Sequence, residues 1–212
     1  MLVLGINTIG DVCEAALIAD GAILNVRSEP MTQGHDARLA PLVELLMQDA
    51  GRPLADLDRI AVIVGPGSFT GLRVGVAFAR GLALALDCPA VGVSSLEALA
   101  PAPVIGRGRI LAVLPAKRRP PELSWWAQQV VEGRGIADPV EADAAMLAAM
   151  AEGMDVVLGD GLDTVAFAIP VRTALPSGVS AALLAARLSA DDLPLPTPIY
   201  ARAPDAKPMA RP

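Results

Sequence analysis

A glycine-rich stretch at residues 65–75 has the residue types and spacing of a ligand-binding loop. Backbone amides in such a turn, at the start of a helix, can hold an anion. The stretch nevertheless does not match two familiar motifs, the P-loop and the nucleophile elbow. A phosphate-binding P-loop needs Lys and then Ser or Thr after its last glycine, whereas Leu72 and Arg73 stand here. A nucleophile elbow needs a serine midway between two glycines, but Ser68 directly follows Gly67.

A dinucleotide-binding turn and a purely structural turn both remain open for this stretch. The spacing of Gly65, Gly67 and Gly71 is one residue longer than the dinucleotide fingerprint, although Asp87 lies where a ribose-binding acid would stand. A structural turn needs no ligand, because glycine supplies backbone freedom and Pro66 restricts φ. The predicted structural loop consists of Gly65, Pro66, Gly67, Ser68, Phe69, Thr70 and Gly71.

One histidine and two cysteines are too few for a protease-type metal site or a disulfide framework within this chain. His35 is the only histidine, so this chain alone cannot supply the paired histidines of a protease-type zinc site. We predict instead that His35 lies at a helix start and bonds nearby backbone. Cys13 and Cys88 lie in apolar segments without the paired spacing of a metal site or a disulfide framework. This usage fits a reduced cytoplasm.

The composition indicates a compact, weakly aromatic protein. Its 212 residues suit one domain or two closely joined lobes. Hydrophobic residues make up 53% and aromatic residues 3%, so the core must consist of Ala, Val, Leu and Ile. The net charge of -6 argues against broad binding of a phosphate backbone by this chain itself. No signal peptide is predicted, because the first residues carry no basic segment ahead of an apolar stretch. No membrane span is predicted, because Arg80 and several glycines interrupt the longest apolar segment.

The elements that position the glycine loop can be read from apolar runs. Residues 60–64 predict a buried strand, and the segment that ends near Leu86 predicts a helix, capped by Ser68 or Thr70. Further strands are predicted at residues 2–6, 13–18 and 22–27. A second helix is predicted from Asp36 as its N-cap, with a kink or an irregular first turn caused by Pro41.

The helix after the loop has two apolar stripes. One consists of Val74, Phe78, Leu82 and Ala85, and the other of Leu72, Val76, Ala79 and Ala83. Only Arg73 and Arg80, on a third side, are charged. A helix packed on a sheet in a monomer needs one apolar face. The second stripe therefore indicates either a protein partner or burial inside the chain's own core.

The second half of the chain repeats the order of strands and helix. Such elements are predicted at residues 109–114, 123–131, 141–151 and 155–158, followed by a helix at 179–188 and an extended proline-rich tail from Leu193. Trp125 and Trp126 are adjacent in a strand and therefore point to opposite faces. We expect one of them to be covered by a partner or by the other lobe.

Three segments together resemble the bacterial TsaB (YeaZ) family. Residues 65–75 read Gly-Pro-Gly-Ser-Phe-Thr-Gly-Leu-Arg-Val-Gly, residues 91–96 read Val-Gly-Val-Ser-Ser-Leu, and residues 198–202 read Pro-Ile-Tyr-Ala-Arg. The resemblance runs from Leu2 to about Leu99, is weak afterwards and returns in the tail. It implies a subunit of the machinery that makes threonylcarbamoyladenosine on tRNA.

The resemblance implies an α/β fold of the actin-like ATPase, or ribonuclease H-like, type. Two lobes would each contain a mixed β-sheet flanked by helices. Residues 1–104 would form the N-terminal lobe, residues 105–192 a smaller degenerate lobe and residues 193–212 the tail, with the boundary in the linker-like segment 101–108. Tyr200 and Arg202 would pin the tail onto the first lobe.

The resemblance also implies a non-catalytic subunit required for threonylcarbamoyl transfer to adenosine 37 of tRNAs. It would bind and activate a TsaD-like catalytic subunit, with a TsaE-like ATPase as a further partner and tRNA reached through the complex. The family's old label of glycoprotease is not supported, because this chain lacks the paired histidines of a protease-type metal site. No cofactor is implied for this chain itself, ATP or ADP at a partner interface stays open, and a cytoplasmic location without membrane contact is expected.

Partner binding would use the helices that begin near Asp36 and Thr70. The predicted interface residues are Ala40, Val43, Met47, Leu72, Arg73, Val76, Ala79, Arg80 and Ala83. A homodimer that uses the same surface is the alternative assembly, and the isolated chain could equally be a monomer.

One departure from the family pattern bears on chemistry. Asn7 stands where an aspartate normally serves metal and phosphate; an amide is neither a general base nor a good ligand for a hard cation. Asp11 could replace that aspartate only if its side chain extended to the site from a different position in the turn. These features weaken the rival interpretation, an actin-fold small-molecule kinase or ATPase.

The run Lys117, Arg118 and Arg119 either contacts tRNA phosphate or forms a solvated loop.

Overall fold

The computed structural model describes residues 1–99, 108–116 and 123–200. The first sheet contains β1 (Leu2–Asn7), β2 (Val12–Ala19), β3 (Ala22–Pro30), β4 (Arg59–Ile63) and β5 (Ala90–Val93). The second contains β6 (Arg109–Pro115), β7 (Trp125–Val131), β8 (Arg134–Gly135), β9 (Val140–Ala142), β10 (Val156–Gly159) and β11 (Val171–Thr173). The helices are α1 (His35–Asp49), α2 (Phe69–Leu86), α3 (Ala144–Met150) and α4 (Gly178–Arg187).

Both sheets mix parallel and antiparallel pairs. The first has the order β3-β2-β1-β4-β5, in which β1 is antiparallel to β2 and parallel to β4. The second has the order β11-β10-β6-β7-β8, with β9 also paired to β7. There β6 is antiparallel to β7 and parallel to β10. This repeated order confirms the predicted α/β fold of two mixed sheets flanked by helices.

Helices cover both faces of the first sheet. Helix α1 packs on β2 and β3, α2 on β4 and β1, and α4 on β1, β2 and β4. The closest approach is at Gly5, where an added Cβ would lie 2.0 Å from the carbonyl oxygen of Gly178. Helix α4 therefore packs on the first sheet, although the sequence places it in the lobe at 105–192. The predicted boundary at residues 104 and 105 lies outside the described residues.

Two hydrophobic clusters form the core. The larger joins the first sheet and its helices to one face of the second sheet, which contributes Ile110 and Ala112. The smaller lies on the opposite face and contains Leu111 and Val113. Alternate side chains along β6 therefore belong to different clusters, as the period of a strand requires.

The two adjacent tryptophans divide between these clusters. Trp125 is 4% exposed and lies in the smaller cluster, where its indole nitrogen donates a hydrogen bond to the Gly161 carbonyl oxygen at 2.9 Å. Trp126 is half-buried and packs on the larger cluster. Contact between the two sheets therefore covers Trp126. Cover by the other lobe was one of the two alternatives that we predicted.

Two helix starts differ from the predictions. Helix α1 begins at His35 with Gly34 at its N-cap, so Asp36 lies in the first turn rather than at the cap. Gly34 has a φ of 84°, and a glycine in this conformation turns the chain into the helix without a side-chain acceptor. Ser68 does occupy the N-cap of α2, but its side chain makes no capping hydrogen bond, and Thr70 lies within the helix.

Within the described residues, α2 alone is long and apolar enough to cross a membrane by length and composition. Core helices of soluble proteins pass the same test, and 33% of the residues of α2 are buried. Its contacts with β1, β4, β5 and α1 are those of a helix packed on a sheet.

Candidate functional site

The glycine-rich loop between β4 and α2 is held by hydrogen bonds from the segment after β5. The Gly65–Pro66 peptide bond is cis, and Gly65 has a φ of 102°, which favours glycine. The Gly65 carbonyl oxygen accepts from the Ser95 amide at 2.9 Å, and the Pro66 carbonyl oxygen accepts from the Ser95 hydroxyl at 2.6 Å. The chain's own groups therefore fix the shape of the loop.

Glycines just before and within the start of α2 leave room for the turn that follows β1, which is the first turn of the chain. A Cβ at Gly71 would lie 2.0 Å from the carbonyl oxygen of Thr8, and one at Gly75 would lie 2.3 Å from the Thr8 hydroxyl oxygen. A Cβ at Gly67 would lie 1.9 Å from a methyl carbon of Ile9. The spacing of these three glycines therefore meets a packing requirement between two turns.

Asn7, in the position of the family's aspartate, is fully buried. Its Oδ1 accepts from the Ile9 amide at 2.9 Å, and its Nδ2 donates to the Pro176 carbonyl oxygen at 2.8 Å. The two ends of the amide therefore join the first turn to the segment that precedes α4. Asp11, the alternative carboxylate, is exposed.

Glu14 is a buried carboxyl group close to Asn7. Its Oε1 accepts from the Gly178 amide at 3.1 Å, at the N-terminus of α4. Burial raises the pKa of the Glu14 carboxyl, while hydrogen bonds from Gly178, Val179 and Asn7 oppose the rise. The helix dipole at this end of α4 also favours a negative charge. This contact could not be predicted from the sequence, because a single acidic residue within a strand has no distinctive pattern.

Arg59 is a second buried group that the sequence analysis missed. It is 9% exposed, and its Nη1 donates to the carbonyl oxygens of Ala185 at 2.7 Å and Leu188 at 2.8 Å. These carbonyl groups lie at the C-terminal end of α4, where helical partners run out. Arg59 therefore anchors α4 to β4 on the first sheet.

His35, Cys13 and Cys88 lie in environments that indicate structural roles and not metal binding or catalysis. Within the described ranges, no group of three or more His, Cys, Asp and Glu side chains could hold a metal ion. His35 is buried with its Nε2 3.1 Å from the Val12 carbonyl oxygen, the backbone contact predicted for it. Burial raises the pKa of the Cys13 thiol to about 11 and also raises that of Cys88. Such thiols are poor nucleophiles at neutral pH.

The structure divides the nine predicted interface residues into two groups. The chain's own core buries six of them: Val43, Met47, Leu72, Val76, Ala79 and Ala83. Ala40, Arg73 and Arg80 are exposed. A side chain buried by its own chain offers little surface to a partner, so the burial of these six residues argues against their direct contact with one. Contact by the three exposed residues stays a prediction.

The side of α2 away from these buried residues is apolar. Ala77, Gly81, Leu84 and Ala85 are exposed on it, whereas Val74, Phe78 and Leu82 at its border are half-buried and pack on the larger cluster. We define the outer α2 face as Val74, Ala77, Phe78, Gly81, Leu82, Leu84 and Ala85. Leu84 is 85% exposed, and a Cβ at Gly81 would meet no atom within 4 Å. Ala77, Gly81 and Ala85 are exposed and recur every four residues, so one line of the helix is formed by small side chains.

An exposed cluster of two aromatic rings and a cation adjoins this face. The Arg73 guanidinium carbon lies 3.8 Å from the ring centroid of Phe69 and 5.8 Å from that of Tyr200. The Arg73 Nε also donates to the Tyr200 hydroxyl oxygen at 3.2 Å, and the two ring centroids are 5.4 Å apart. The last described residue of the tail, Tyr200, therefore contacts the start of α2.

Backbone hydrogen bonds hold the tail on the first sheet. The Gly92 amide donates to the Pro194 carbonyl oxygen at 2.9 Å, and the Ile199 amide donates to the Val64 carbonyl oxygen at 2.7 Å. These contacts agree with the predicted attachment of the tail to the first lobe. Other predicted contacts lie outside the described residues: Lys117, Arg118, Arg119 and Arg202.

Comparisons with known proteins place this geometry in a family. Residues 27–120, which include α1 and α2, match the family model for TsaD, tRNA N6-adenosine threonylcarbamoyltransferase. The tRNA threonylcarbamoyladenosine biosynthesis protein TsaB of Escherichia coli is 35% identical over 148 residues, which are 69% of this chain and 62% of that protein. The match thus spans less than two thirds of the Escherichia coli protein.

Other relatives match over nearly their whole length. An uncharacterized protein of Mycobacterium tuberculosis is 36% identical over 211 residues, covering 98% of this chain and 95% of that protein. The solved structure of YeaZ from Pseudomonas aeruginosa is 26% identical with a TM-score of 0.69, covering 94% of this chain and 99% of that chain. Sequence and fold agree, and the chain belongs to the TsaB/YeaZ family of the actin-like ATPase superfamily.

Proposed function

We propose that this chain is a non-catalytic subunit required for threonylcarbamoyl transfer to adenosine 37 of tRNAs, and that it binds and activates a TsaD-like catalytic subunit. Relatives named TsaB are described as tRNA threonylcarbamoyladenosine biosynthesis proteins. The match of residues 27–120 to the TsaD family model supports a partner with a related first lobe. Two related lobes can pair about an approximate two-fold axis, with α1 and α2 of each chain in contact.

The outer α2 face is the observation that carries this proposal. Its most exposed side chain, Leu84, is 85% exposed in the isolated chain, and the small residues Gly81 and Ala85 lie beside it. Burial of apolar surface favours a complex by about 25 cal/mol per Å² before the entropic cost of association is subtracted. Small residues let a partner helix approach closely, and Arg73 and Arg80 at the edge would favour one orientation over others.

The first turn supports a non-catalytic role. Asn7 already uses its Oδ1 and Nδ2 on backbone groups, so it is poorly placed to orient a metal ion or accept a proton. The transfer chemistry would then belong to the TsaD-like subunit. A TsaE-like ATPase would be a further partner, tRNA would be reached through the complex, and the assembly would work in the cytoplasm.

Co-purification with the TsaD-like subunit of the same cell tests the proposal. We expect Ala77→Glu and Leu84→Glu each to abolish capture, because either places a larger, hydrated carboxylate against an apolar partner surface, where it must lose its water. Both positions are exposed, so circular dichroism should show an unchanged fold. Ala148→Glu on the exposed side of α3 is the matched control and should be captured normally. Normal capture of both α2 variants would contradict this interface.

The same face could instead join two copies of this chain. Sedimentation velocity of the chain alone, and then with the TsaD-like subunit, separates the two assemblies. We expect any homodimer to be displaced by the partner, because both complexes would need the outer α2 face. A homodimer that persists beside bound partner would contradict a shared surface.

A further inference from the structure

We propose that Arg73 binds a carboxylate side chain of the TsaD-like subunit at the edge of the outer α2 face. This inference rests on the proposed function, because it names the chemistry that the partner must present at one point of that interface. We call Phe69, Arg73 and Tyr200 the Arg73 cluster. Arg73 is exposed, and the two rings are 41% and 49% exposed, so a partner can reach all three side chains.

Arg73 has a charge that this chain does not pair. Three other arginines near the first sheet form ion pairs with acidic side chains: Arg27 with Asp49, Arg38 with Glu29 and Arg52 with Asp56. In the part of the chain that the structure describes, Arg73 forms no ion pair, and its hydrogen bond goes to the Tyr200 hydroxyl oxygen, a neutral acceptor. Its counter-charge is therefore open to a binding partner.

The two aromatic side chains hold the guanidinium group with its terminal nitrogens available. The guanidinium carbon lies 3.8 Å from the Phe69 ring centroid, a distance at which the ring covers one face of the cation. Tyr200 occupies the Nε donor at 3.2 Å. Nη1 and Nη2 remain, and these two groups together can bind both oxygens of one carboxylate. Because the side chain is already ordered, such a pair costs less conformational entropy.

The position of the cluster favours a protein carboxylate over a nucleic-acid phosphate. A line of exposed residues recurs at four-residue intervals along α2: Phe69, Arg73, Ala77, Gly81 and Ala85. Beyond the cation this line is apolar, which suits the core of a protein interface, and arginine and tyrosine are enriched at such interfaces. The net charge of -6 disfavours a polyanion. The Arg73 cluster is therefore the polar end of the outer α2 face.

Biolayer interferometry with the purified TsaD-like subunit measures the contribution of this contact. We expect Arg73→Met to weaken binding at least about tenfold, because methionine keeps an apolar stem and loses both Nη donors. Arg73→Lys should weaken binding about threefold or more, because an ammonium group cannot bind two carboxylate oxygens as a planar fork. Arg172→Met, an exposed change on β11, also removes one positive charge and should leave the affinity unchanged. Circular dichroism checks that each variant is folded.

A charge reversal identifies the group on the partner. Arg73→Glu should abolish binding, because two carboxylates would then face each other. Each exposed Asp and Glu on the two helices of the TsaD-like subunit that correspond to α1 and α2 is then changed singly to Arg. We expect one of these changes to restore binding of Arg73→Glu at least about tenfold. A purely structural role of Arg73 would give no such rescue, and its absence from the whole set would overturn the proposal.

The wild-type chain separates failure of this contact from failure of the proposed function. If the wild-type chain does not bind the TsaD-like subunit, the proposed function fails and this contact fails with it. If it binds and Arg73→Met binds equally well, the Arg73 contact alone is overturned. If Arg73→Met instead lowers the affinity of the assembled complex for tRNA and leaves that for the subunit unchanged, the ligand is a phosphate, which also overturns the proposal.

Discussion

Gly71 lies so close to Thr8 that a Cβ added at position 71 would be 2.0 Å from the Thr8 carbonyl oxygen. The Thr8 hydroxyl donates a hydrogen bond to the Gly71 carbonyl oxygen at 2.7 Å. The turn after β1 and the start of α2 are therefore in contact backbone to backbone. Part of the family's glycine motif is thus explained by packing within this chain alone.

We expect Gly71→Ala to destabilise the fold by about 3 kcal/mol, because the new methyl group must displace backbone. Gly81→Ala in the same helix is the matched control. No atom lies within 4 Å of a Cβ at position 81, so alanine should stabilise the helix by about 0.5–1 kcal/mol. Urea unfolding of the isolated chain measures both changes. Equal stability of the two variants would contradict the packing argument.

Arg59→Met should destabilise the protein by about 2–4 kcal/mol, because it leaves the Ala185 and Leu188 carbonyl oxygens without their donor. Hydrogen exchange should show the loss first in α4. Arg172→Met, an exposed change on β11, should alter stability by no more than about 0.5 kcal/mol. Similar effects of the two changes would mean that Arg59 does not anchor α4.

Helical periodicity located α2 and both of its apolar stripes, but it could not tell which stripe faces the sheet. The interface prediction used the stripe of Leu72 and Val76, which is buried, whereas Phe78 on the other stripe is half-buried. The choice is made by contacts distant in sequence. Thr8 approaches both Gly71 and Gly75, which continue the four-residue line of Ala79 and Ala83 in the buried stripe, and this contact turns that side of the helix inward.

The positions of most strands along the chain were predictable because apolar runs bounded by Gly and Pro are local signals. The partners of buried polar groups were not, because they lie far along the chain. Asn7 bonds a residue 169 positions away, Glu14 one 164 positions away and Arg59 one 126 positions away. The fold name came from the family resemblance, since periodicity alone does not distinguish one α/β topology from another.

Glu14→Gln should make stability less dependent on pH. The folded-state pKa of Glu14 is raised above its ordinary value of 4.5 by burial, so the fold favours the protonated form. The penalty for ionisation is absent below pH 4.5 and develops as the pH rises through the folded-state pKa. Glutamine keeps an acceptor for the Gly178 amide without that penalty. We expect it to raise Tm at pH 7 relative to pH 4, and a larger gain at pH 4 would contradict this sign.

Asn7→Asp restores the residue typical of the superfamily, yet we expect it to destabilise this chain by about 2–4 kcal/mol at pH 7. An aspartate oxygen would replace the Nδ2 that now donates to the Pro176 carbonyl oxygen at 2.8 Å, and two acceptors would face each other. Protonation would restore a donor, so urea unfolding should show a smaller loss at pH 5 than at pH 7. Asp11→Asn, at an exposed position of the same turn, is the control and should change little. Undiminished stability of Asn7→Asp at pH 7 would mean that the Pro176 contact does not set the identity of residue 7.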